Sequence, residues 1–460
     1  MELKTLLADI ASAIREKDGS EGEITASAFP ERIRAIRSGV ELESIQITTP
    51  PARTEYIAGE GFDPAGMVVT AVYSNGARLD VTGYSVEPAG ALTEDTESVT
   101  IRYTEGGRSA ETAVAVHVVY VTVYGAEWAG TSSTKLTRTD AAAGFQDPSP
   151  AVGNGTGSSP FDNILPWSGM KRVKDSQVGE LVEIPKFYYK LTQNDRKLKI
   201  QIAGEPAPGF SVSPAHMDRG DGKGERSVVY IARYHCVTST YKSETNKLPA
   251  SNMRQDTART AIHELGANIW QSDFAMRLTI WLLYLVEFAD WESQGCIGYG
   301  CSANGSLENN GKTDQMKYHT GTTTEDRTTY GYVQYRWIEG LWDNVFDWLD
   351  GCNYDSRGFN IILNPADFGD TGGVCVGKPA SGSASAMTVS TAADFPMFYP
   401  VEGKGSISTY ATDCWYYEES CPCLYVGGSY VQRQTYGLFF VIYNSSTSSR
   451  SVGCRLMKLP

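Results

Sequence analysis

Residues 425–456 read YVGGSYVQRQTYGLFFVIYNSSTSSRSVGCRL, and this stretch combines two kinds of sequence. Three short elements have the character of a framework: GG at 427–428, GLF at 437–439 and GCRL at 453–456. The residues between them follow no binary pattern and are mostly Tyr, Ser, Thr, Asn, Gln or Arg. Tyr provides a large amphipathic contact at low entropy cost, and Ser and Asn provide adaptable hydrogen bonds. The composition indicates a binding surface, although an irregular polar loop would have the same composition.

The spacing of these elements, GGS-x7-GLF-x13-GCRL, resembles the variable region of diversity-generating retroelement proteins. In that family a reverse transcriptase rewrites selected codons, and the protein presents the new side chains on a C-type-lectin-like domain. The resemblance is close over the final segment and looser over residues 161–460. It implies an α+β fold with a C-type-lectin-like domain at 161–460 and a variable region at about 414–456. It also implies a phage tail or receptor-binding protein.

Two motifs resemble the formylglycine-generating-enzyme branch of the same fold. Residues 338–348, IEGLWDNVFDW, are similar to its GNVWEW segment, and GCRL is similar to its final GFR strand. Asp343, Asn344 and Asp347 offer closely spaced oxygen ligands that would suit Ca²⁺, but their spacing is no EF-hand, so we predict no metal. The resemblance implies that four apolar residues of this run belong to the core: Trp342, Val345, Phe346 and Trp348.

Length, charge and cysteine usage limit the class of protein. A chain of 460 residues exceeds one ordinary core, so two or three domains are expected. The net charge of −14 argues against nucleic acid or an anionic membrane as the partner. All nine cysteines follow residue 235, and their odd number in a large domain predicts buried free thiols. The N-terminus lacks an apolar signal-peptide region, which predicts synthesis in a host cytoplasm. The resemblance to phage tail proteins implies a final location in the virion tail.

The first 160 residues divide into three segments. Residues 1–38 have apolar residues at helical spacing and predict two short helices. Their sequence resembles N-terminal segments of tail-associated phage proteins, which implies an attachment module for other phage tail proteins; the alternative is a hairpin docked on its own domain. Residues 41–120 alternate in polarity, carry the turn signal Ser74-Asn75-Gly76, and resemble a bacterial Ig-like β-sandwich. Residues 121–160 are rich in Gly, Ser, Thr and Pro, which predicts a linker or extended arm.

The region after residue 160 mixes strands and helices. Residues 181–202 and 228–234 have the pattern of strands, and residues 252–265 that of a helix. Ser272 is the predicted cap of a second helix that extends to residue 291. Its apolar run, residues 280–286, is too short to cross a bilayer and predicts a buried core helix.

Catalysis is disfavoured by the residues that it would require. The catalytic members of the resembled fold use a reactive cysteine pair near the C-terminus, and Cys421 and Cys423 are close together here. Glu418 and Glu419 would raise a thiol pKa rather than lower it, and no histidine stands at a recognised spacing from a nucleophile. We therefore predict no enzyme activity and no cofactor, with a formylglycine-generating-enzyme-like oxidase as the least favoured alternative.

If Val426, Leu438 and Val452 face the core, the residues between them face outward, and an exposed Tyr-rich surface marks an interaction site. The predicted partner is a bacterial cell-surface protein or glycan, and the alternative is a structural tail or fibre component without diversified binding. A homotrimer would strengthen weak individual contacts through multivalency. The predicted ligand-binding residues are Tyr416, Tyr417, Tyr430, Gln432, Arg433, Thr435, Tyr436, Val441, Tyr443, Ser445 and Thr447.

Overall fold

The structure is a computed structural model that describes residues 3–18, 24–30, 33, 40–300, 305–417, 422–431, 436–444 and 448–460. The chain divides into two compact units, Met1–Val121 and Thr122–Pro460. The fold is mostly β with few helices. Among the described residues, none of the helices combines the length and apolar character that a membrane span requires.

The N-terminal helix α1 (Leu3–Asp18) packs against the segment that follows it. Ala11 and Ile14 on its apolar face are buried together with Phe29, which follows a 3-10 turn at Ala26–Ala28. The predicted second helix extends over residues 31–32 and 34–39, which lie outside the described part of the chain. The attachment role of residues 1–38 stays a prediction.

The rest of the first unit is a β-sandwich. The turn at 74–76 is confirmed as a hairpin, because Gly76 has φ +79° and the strands on either side of it pair antiparallel. Ile45 and Ala71 are cross-strand partners, and both are buried in a core with Val99 and Ile101. The strands are β1 (Leu42–Thr49), β2 (Glu55–Ile57), β3 (Val68–Tyr73), β4 (Arg78–Val81), β5 (Ser85–Glu87), β6 (Ser98–Glu105), β7 (Arg108–Ala115) and β8 (His117–Val119).

The second unit begins with a series of strands, and its first helix follows them along the chain. Its strands up to residue 271 are β9 (Val123–Trp128), β10 (Thr137–Asp140), β11 (Ala151–Val152), β12 (Lys171–Asp175), β13 (Gly179–Pro185), β14 (Tyr188–Asn194), β15 (Lys197–Ala203), β16 (Ser211–Val212), β17 (Val228–Ala232) and β18 (Ile269–Gln271). The helices are α2 (Gln255–His263), α3 (Phe274–Phe288) and α4 (Ser293–Ile297), with 3-10 turns at Trp167–Gly169 and Pro365–Asp367.

The remaining strands of the second unit are short. They are β19 (Gly321–Thr322), β20 (Val333–Tyr335), β21 (Ile338–Glu339), β22 (Phe346–Leu349), β23 (Cys352–Asp355), β24 (Gly358–Ile361), β25 (Val374–Gly377), β26 (Gly382–Ser383), β27 (Ala386–Ser390), β28 (Met397–Glu402), β29 (Cys414–Tyr416), β30 (Cys423–Val426), β31 (Val441–Asn444), β32 (Val452–Cys454) and β33 (Leu456–Lys458).

The prediction of a linker or arm at residues 121–160 is wrong where this segment begins. Strand β9 lies between β10 and β15 inside a five-stranded sheet. Trp128 at its end is fully buried, and its Nε1 donates to the carbonyl of Ser133 at 3.0 Å. The Gly, Ser and Thr of this segment form the connections between short strands rather than a free tether.

Helix α3 is the centre of the second core, which confirms the predicted buried helix. Every residue from Phe274 to Phe288 is buried. The predicted cap, Ser272, is wrong by one position, because the carboxylate of Asp273 accepts from the backbone N–H of Met276 at 2.8 Å. The helix ends at Ala289, which adopts the left-handed conformation.

The C-terminal stretch contributes two central strands, β31 and β30, and the edge strand β32 to a six-stranded sheet with the order β26-β29-β31-β30-β22-β32. Strand β31 pairs antiparallel with β30 and parallel with β29. Strand β32 pairs parallel with β22, which comes from the predicted framework run at 338–348. The elements at 427–428 and 437–439 therefore lie just outside the ends of β30 and β31, and the GCRL element at 453–456 spans β32 and the start of β33.

Candidate ligand-binding surface

The six-stranded sheet has an inner face and an outer face. The inner face packs on the main core with Trp415, Leu424 and Val441. The outer face carries a separate aromatic group, here called the outer-face cluster, because successive side chains of a strand point to opposite sides. Its members are the buried residues Phe346, Trp348, Cys414, Cys423, Phe440 and Val452 and the partly buried residues Tyr425, Tyr436 and Ile442.

Val441 and Tyr443 are buried on the inner face, with 0% and 4% of their surface exposed. The ring of Tyr443 lies 5.0 Å from the ring of Tyr354 within the main core. The prediction that these two side chains line an exposed surface is therefore wrong. The alternation of β31 directs Ile442, which lies between them, to the outer face.

Tyr416 and Tyr436 are on the outer face, as a ligand surface requires. Tyr416 is 41% exposed, and its ring centroid lies 6.3 Å from that of Phe440. Tyr436 packs edge-on against the same ring at 4.1 Å. A hydrogen bond with the side chain of Cys414, together with partial burial, raises the pKa of Tyr416 to about 12, so its hydroxyl stays neutral at physiological pH.

The other predicted tyrosines are placed differently. Tyr417 is half-buried, with its ring 4.8 Å from that of Tyr354 and therefore against the main core. Tyr430 is also half-buried, and its backbone N–H donates to the carbonyl of Asn344 at 3.0 Å. Five further predicted residues lie outside the described part of the chain: Gln432, Arg433, Thr435, Ser445 and Thr447.

Residues 437–439, here called the 437–439 anchor, are fixed through their backbone by buried polar side chains. The two carboxylate oxygens of Asp413 accept from the N–H groups of Gly437 at 2.7 Å and Phe439 at 2.8 Å. The hydroxyl of Ser293 accepts from the N–H of Leu438 at 2.9 Å. Burial raises the pKa of Asp413 to about 7 in spite of these hydrogen bonds.

The carbonyl of the anchor is held from helix α3. The oxygen of Leu438 accepts from Nη2 of Arg277 at 2.7 Å and from Nε1 of Trp281 at 2.8 Å. Burial lowers the pKa of Arg277 to about 9, although a buried guanidinium with such acceptors still carries its proton at neutral pH. The anchor is therefore held through its backbone atoms, and these hydrogen bonds do not involve the side chains of residues 437–439.

The glycine pair at 427–428 allows the backbone to approach the turn at 341–342. Gly427 has φ +86°, and a Cβ there would lie 2.3 Å from the carbonyl oxygen of Leu341. A Cβ at Gly428 would lie 2.7 Å from the carbonyl oxygen of Trp342. Position 427 requires both a positive φ and the absence of a Cβ atom, and only glycine meets both requirements.

The closing GCRL element is fixed by Arg455. Its Nε donates to Asp347 Oδ2 at 2.9 Å, and its terminal nitrogens donate to the carbonyls of Ala232, Arg233, Glu339 and Gly340. His235 Nδ1 lies 2.9 Å from the second oxygen of Asp347. Burial alone would raise the pKa of Asp347, but the charges of Arg455 and His235 outweigh it and hold the pKa well below its usual range.

The acidic residues of the 338–348 run serve as structural partners. Asp347 is engaged by Arg455 and His235, and Asp343 Oδ2 accepts from the N–H of Val333 at 3.1 Å. The amide of Asn344 pairs with the backbone of Glu308. In the described part of the chain, no group of three His, Cys, Asp or Glu side chains is arranged to hold a metal ion.

The cysteines considered for catalysis have raised pKa values where the structure describes them. Burial raises the pKa of Cys423 to about 12. A hydrogen bond with Cys236, followed by burial, raises the pKa of Cys454 well above its usual value. Cys421 lies outside the described residues. A high thiol pKa opposes nucleophilic reactivity at Cys423 and Cys454.

Residues 49–118 match the family model of the bacterial Ig-like domain (group 3). The match confirms the domain predicted from the alternating pattern at 41–120, and it places that domain within the β-sandwich of the first unit. No curated protein matches the chain significantly. The second unit is therefore interpreted from its own residues.

Sequence reasoning missed the residues that hold the 437–439 anchor. Asp413 lies 24 positions from Gly437, and Arg277 lies 161 positions from Leu438. A signal for Arg277 was present, because a charged residue inside an apolar helix must find a buried partner. Nothing in the sequence identified Leu438 as that partner.

Proposed function

We propose that the protein binds a ligand through the outer face of the six-stranded sheet and the loops beside it, as a receptor-binding protein of the phage tail type. The observation that carries this proposal is the pair Tyr416 and Tyr436, whose rings pack edge-on against Phe440; Tyr416 is 41% exposed and Tyr436 is half-buried. Amphipathic aromatic side chains on a packed base are typical anchors of protein interfaces.

The construction of the surface supports a scaffold whose loops tolerate sequence change. The 437–439 anchor is held by its backbone, through Asp413, Ser293 and Arg277, so its position is independent of neighbouring side chains. The element at 427–428 is held by close backbone approach. This arrangement fits a C-type-lectin-like domain with a variable region at about 414–456, which we propose for the second unit.

The remaining features complete the proposal. The Ig-like domain would act as a spacer, and residues 1–38 would attach the protein to other tail proteins. A homotrimer would present several copies of a weak binding surface at once, which increases avidity. The target would be a protein or glycan on a bacterial cell.

Binding of the fluorescently labelled full chain to a panel of intact bacterial cells tests the proposal. The double variant Tyr416→Ala, Tyr436→Ala should lose binding to any strain that the unaltered chain binds. Tyr120→Ala, which removes a tyrosine that is 67% exposed in the first unit, is the matched control and should bind normally. Equal binding by all three proteins would contradict the proposed surface, provided that their melting temperatures agree.

The diversification itself is tested on DNA. Sequencing the flanking locus should reveal a near-copy of the last codons that differs mainly at adenines, beside a reverse-transcriptase gene. Finding neither would leave a ligand-binding protein without a diversification system.

A further inference from the structure

We propose that residues 298–300 and 305–332, here called the flanking loop, supply a second part of the same ligand surface, and that this composite surface binds a folded protein of neutral or basic charge. This inference rests on the proposed function and adds to it a part of fixed position outside the variable region. The two residues that contact both parts are Trp342, which was predicted as a core residue, and Asn344, which was first considered as an ion ligand.

The flanking loop and the variable region both approach the carbonyl oxygen of Trp342. A Cβ at Gly300 would lie 2.6 Å from the carbonyl oxygen of Trp342, and a Cβ at Gly428 would lie 2.7 Å from the same oxygen. Both backbones therefore touch Trp342. The residues that follow Gly428 and those that precede Gly300 start from neighbouring positions.

Asn344 forms hydrogen bonds with both the flanking loop and the variable region. Its carbonyl accepts from the N–H of Tyr430 at 3.0 Å. Its side-chain amide donates to the carbonyl of Glu308 at 2.6 Å, and its Oδ1 accepts from the N–H of Glu308 at 3.1 Å. Tyr430, a predicted ligand-binding residue, and the flanking loop are therefore both hydrogen-bonded to Asn344.

The flanking loop is itself fixed by hydrogen bonds. Nε1 of Trp342 donates to the carbonyl of Gly298 at 3.0 Å. The N–H of Gly331 donates to the carbonyl of Gly300 at 3.2 Å, which ties the two ends of the loop together. A loop fixed in this way offers its side chains without a large ordering cost on binding.

The flanking loop carries several tyrosines and a lysine. The rings of Tyr299 and Tyr330 lie 6.2 Å apart, and Tyr330 is 38% exposed. Nζ of Lys312 lies 5.4 Å from the ring of Tyr332. Exposed tyrosines are typical interface anchors, and a neighbouring cation adds to such a contact; Tyr416 is the exposed tyrosine on the outer face.

The class of ligand is inferred from two properties: the distribution of the tyrosines over separate chain segments, and the net charge of the second unit. The tyrosines come from three separate chain segments, represented by Tyr416, Tyr430 and Tyr330, and a surface built from several loops suits a folded protein better than a single sugar ring. The second unit, which carries the surface, has 35 Asp and Glu residues against 30 Lys and Arg residues, and this net charge of −5 favours a neutral or basic partner over an acidic one. A folded protein of neutral or basic charge meets both conditions.

A display experiment with the full chain tests this inference on defined probes. Positions 416, 430, 431 and 436 are randomised, and clones are selected separately on lysozyme, a basic folded protein, and on mannan, a polysaccharide. Tyr299→Ala and Tyr330→Ala are then introduced into each selected clone, with Tyr120→Ala as the matched control. We expect lysozyme binders whose affinity falls at least about tenfold with the loop substitutions and changes less than about twofold with the control.

The outcomes separate this inference from the proposed function. Lysozyme binders that depend on the randomised positions but not on Tyr299 or Tyr330 would overturn the role of the flanking loop alone. Binders obtained only on mannan would overturn the choice of a protein occupant. Failure to obtain any binder, or binders indifferent to the randomised positions, would contradict the proposed function, and this inference with it.

Discussion

The inner and outer faces of the six-stranded sheet use similar aromatic residues for different purposes. On the inner face Trp415 and Tyr443 are buried, and the backbone nearby is fixed by buried polar side chains such as Asp413. On the outer face Tyr416 and Tyr436 reach the surface and contact mainly one ring, that of Phe440. Both faces therefore have a buried aromatic base, and the difference is that only the outer face ends in an exposed tyrosine, Tyr416.

The largest effect is expected from Arg455→Ala, which removes the guanidinium beneath the closing element. The substitution leaves the Asp347 carboxylate without its strongest partner and strips donors from several buried carbonyls. Breaking such a buried pair costs about 3–5 kcal/mol. All nine tryptophans lie between residues 128 and 415, so guanidinium unfolding followed by tryptophan fluorescence reports the second unit selectively.

The matched control for this prediction is Arg357→Ala. Arg357 also pairs with an aspartate, Asp355, but its side chain is 53% exposed. Surface pairs contribute about 0–1 kcal/mol, so this variant should unfold almost like the unaltered protein. Equal losses in the two variants would show that the inner face does not depend on its buried charges.

A pH-dependent effect of intermediate size is expected from Asp413. Its pKa is about 7 in the folded protein against an ordinary value of 3.8. Between these values the folded protein holds a proton that the unfolded chain has released, so this group makes the unfolding free energy fall as the pH rises. The total change is on the order of 4 kcal/mol and is complete above about pH 7.

The variant Asp413→Asn isolates this effect. It removes the titration but also weakens one of the two N–H contacts of the 437–439 anchor, which is a constant cost. The advantage of the unaltered protein over this variant should therefore shrink between about pH 4 and pH 7. A difference that stays constant over this window would show that Asp413 is ionised throughout, with its two hydrogen bonds outweighing burial.

The sequence predicts an element well when its own period identifies it. The Ig-like strands alternate in polarity and carry a turn signal at 74–76, and the run at 280–286 is apolar on every side. Both predictions are confirmed. The linker prediction at 121–160 failed because loop-like composition does not distinguish a tether from the connections within a sheet.

The candidate site was harder to predict for a physical reason. Residues 439–443 read FFVIY, so both faces of β31 are apolar and no alternation shows which side chains point inward. Tyr443 was assigned to the surface for this reason, although Ile442 is the residue on the outer face. The anchor contacts of Asp413 and Arg277 join distant positions, which no local pattern contains.

The smallest effects are expected from tyrosines on opposite faces, and they test the comparison most directly. The hydroxyl of Tyr443 is buried and has no hydrogen-bond partner among the described residues, so Tyr443→Phe should stabilise the second unit by about 1 kcal/mol. Tyr416→Phe removes a hydroxyl from a side chain that is 41% exposed and should change stability by less than about 0.5 kcal/mol. Tryptophan-monitored unfolding measures both variants. Destabilisation by Tyr443→Phe would mean that the inner-face hydroxyl is satisfied, and a large loss with Tyr416→Phe would mean that the outer face is needed for folding and is not free for a ligand.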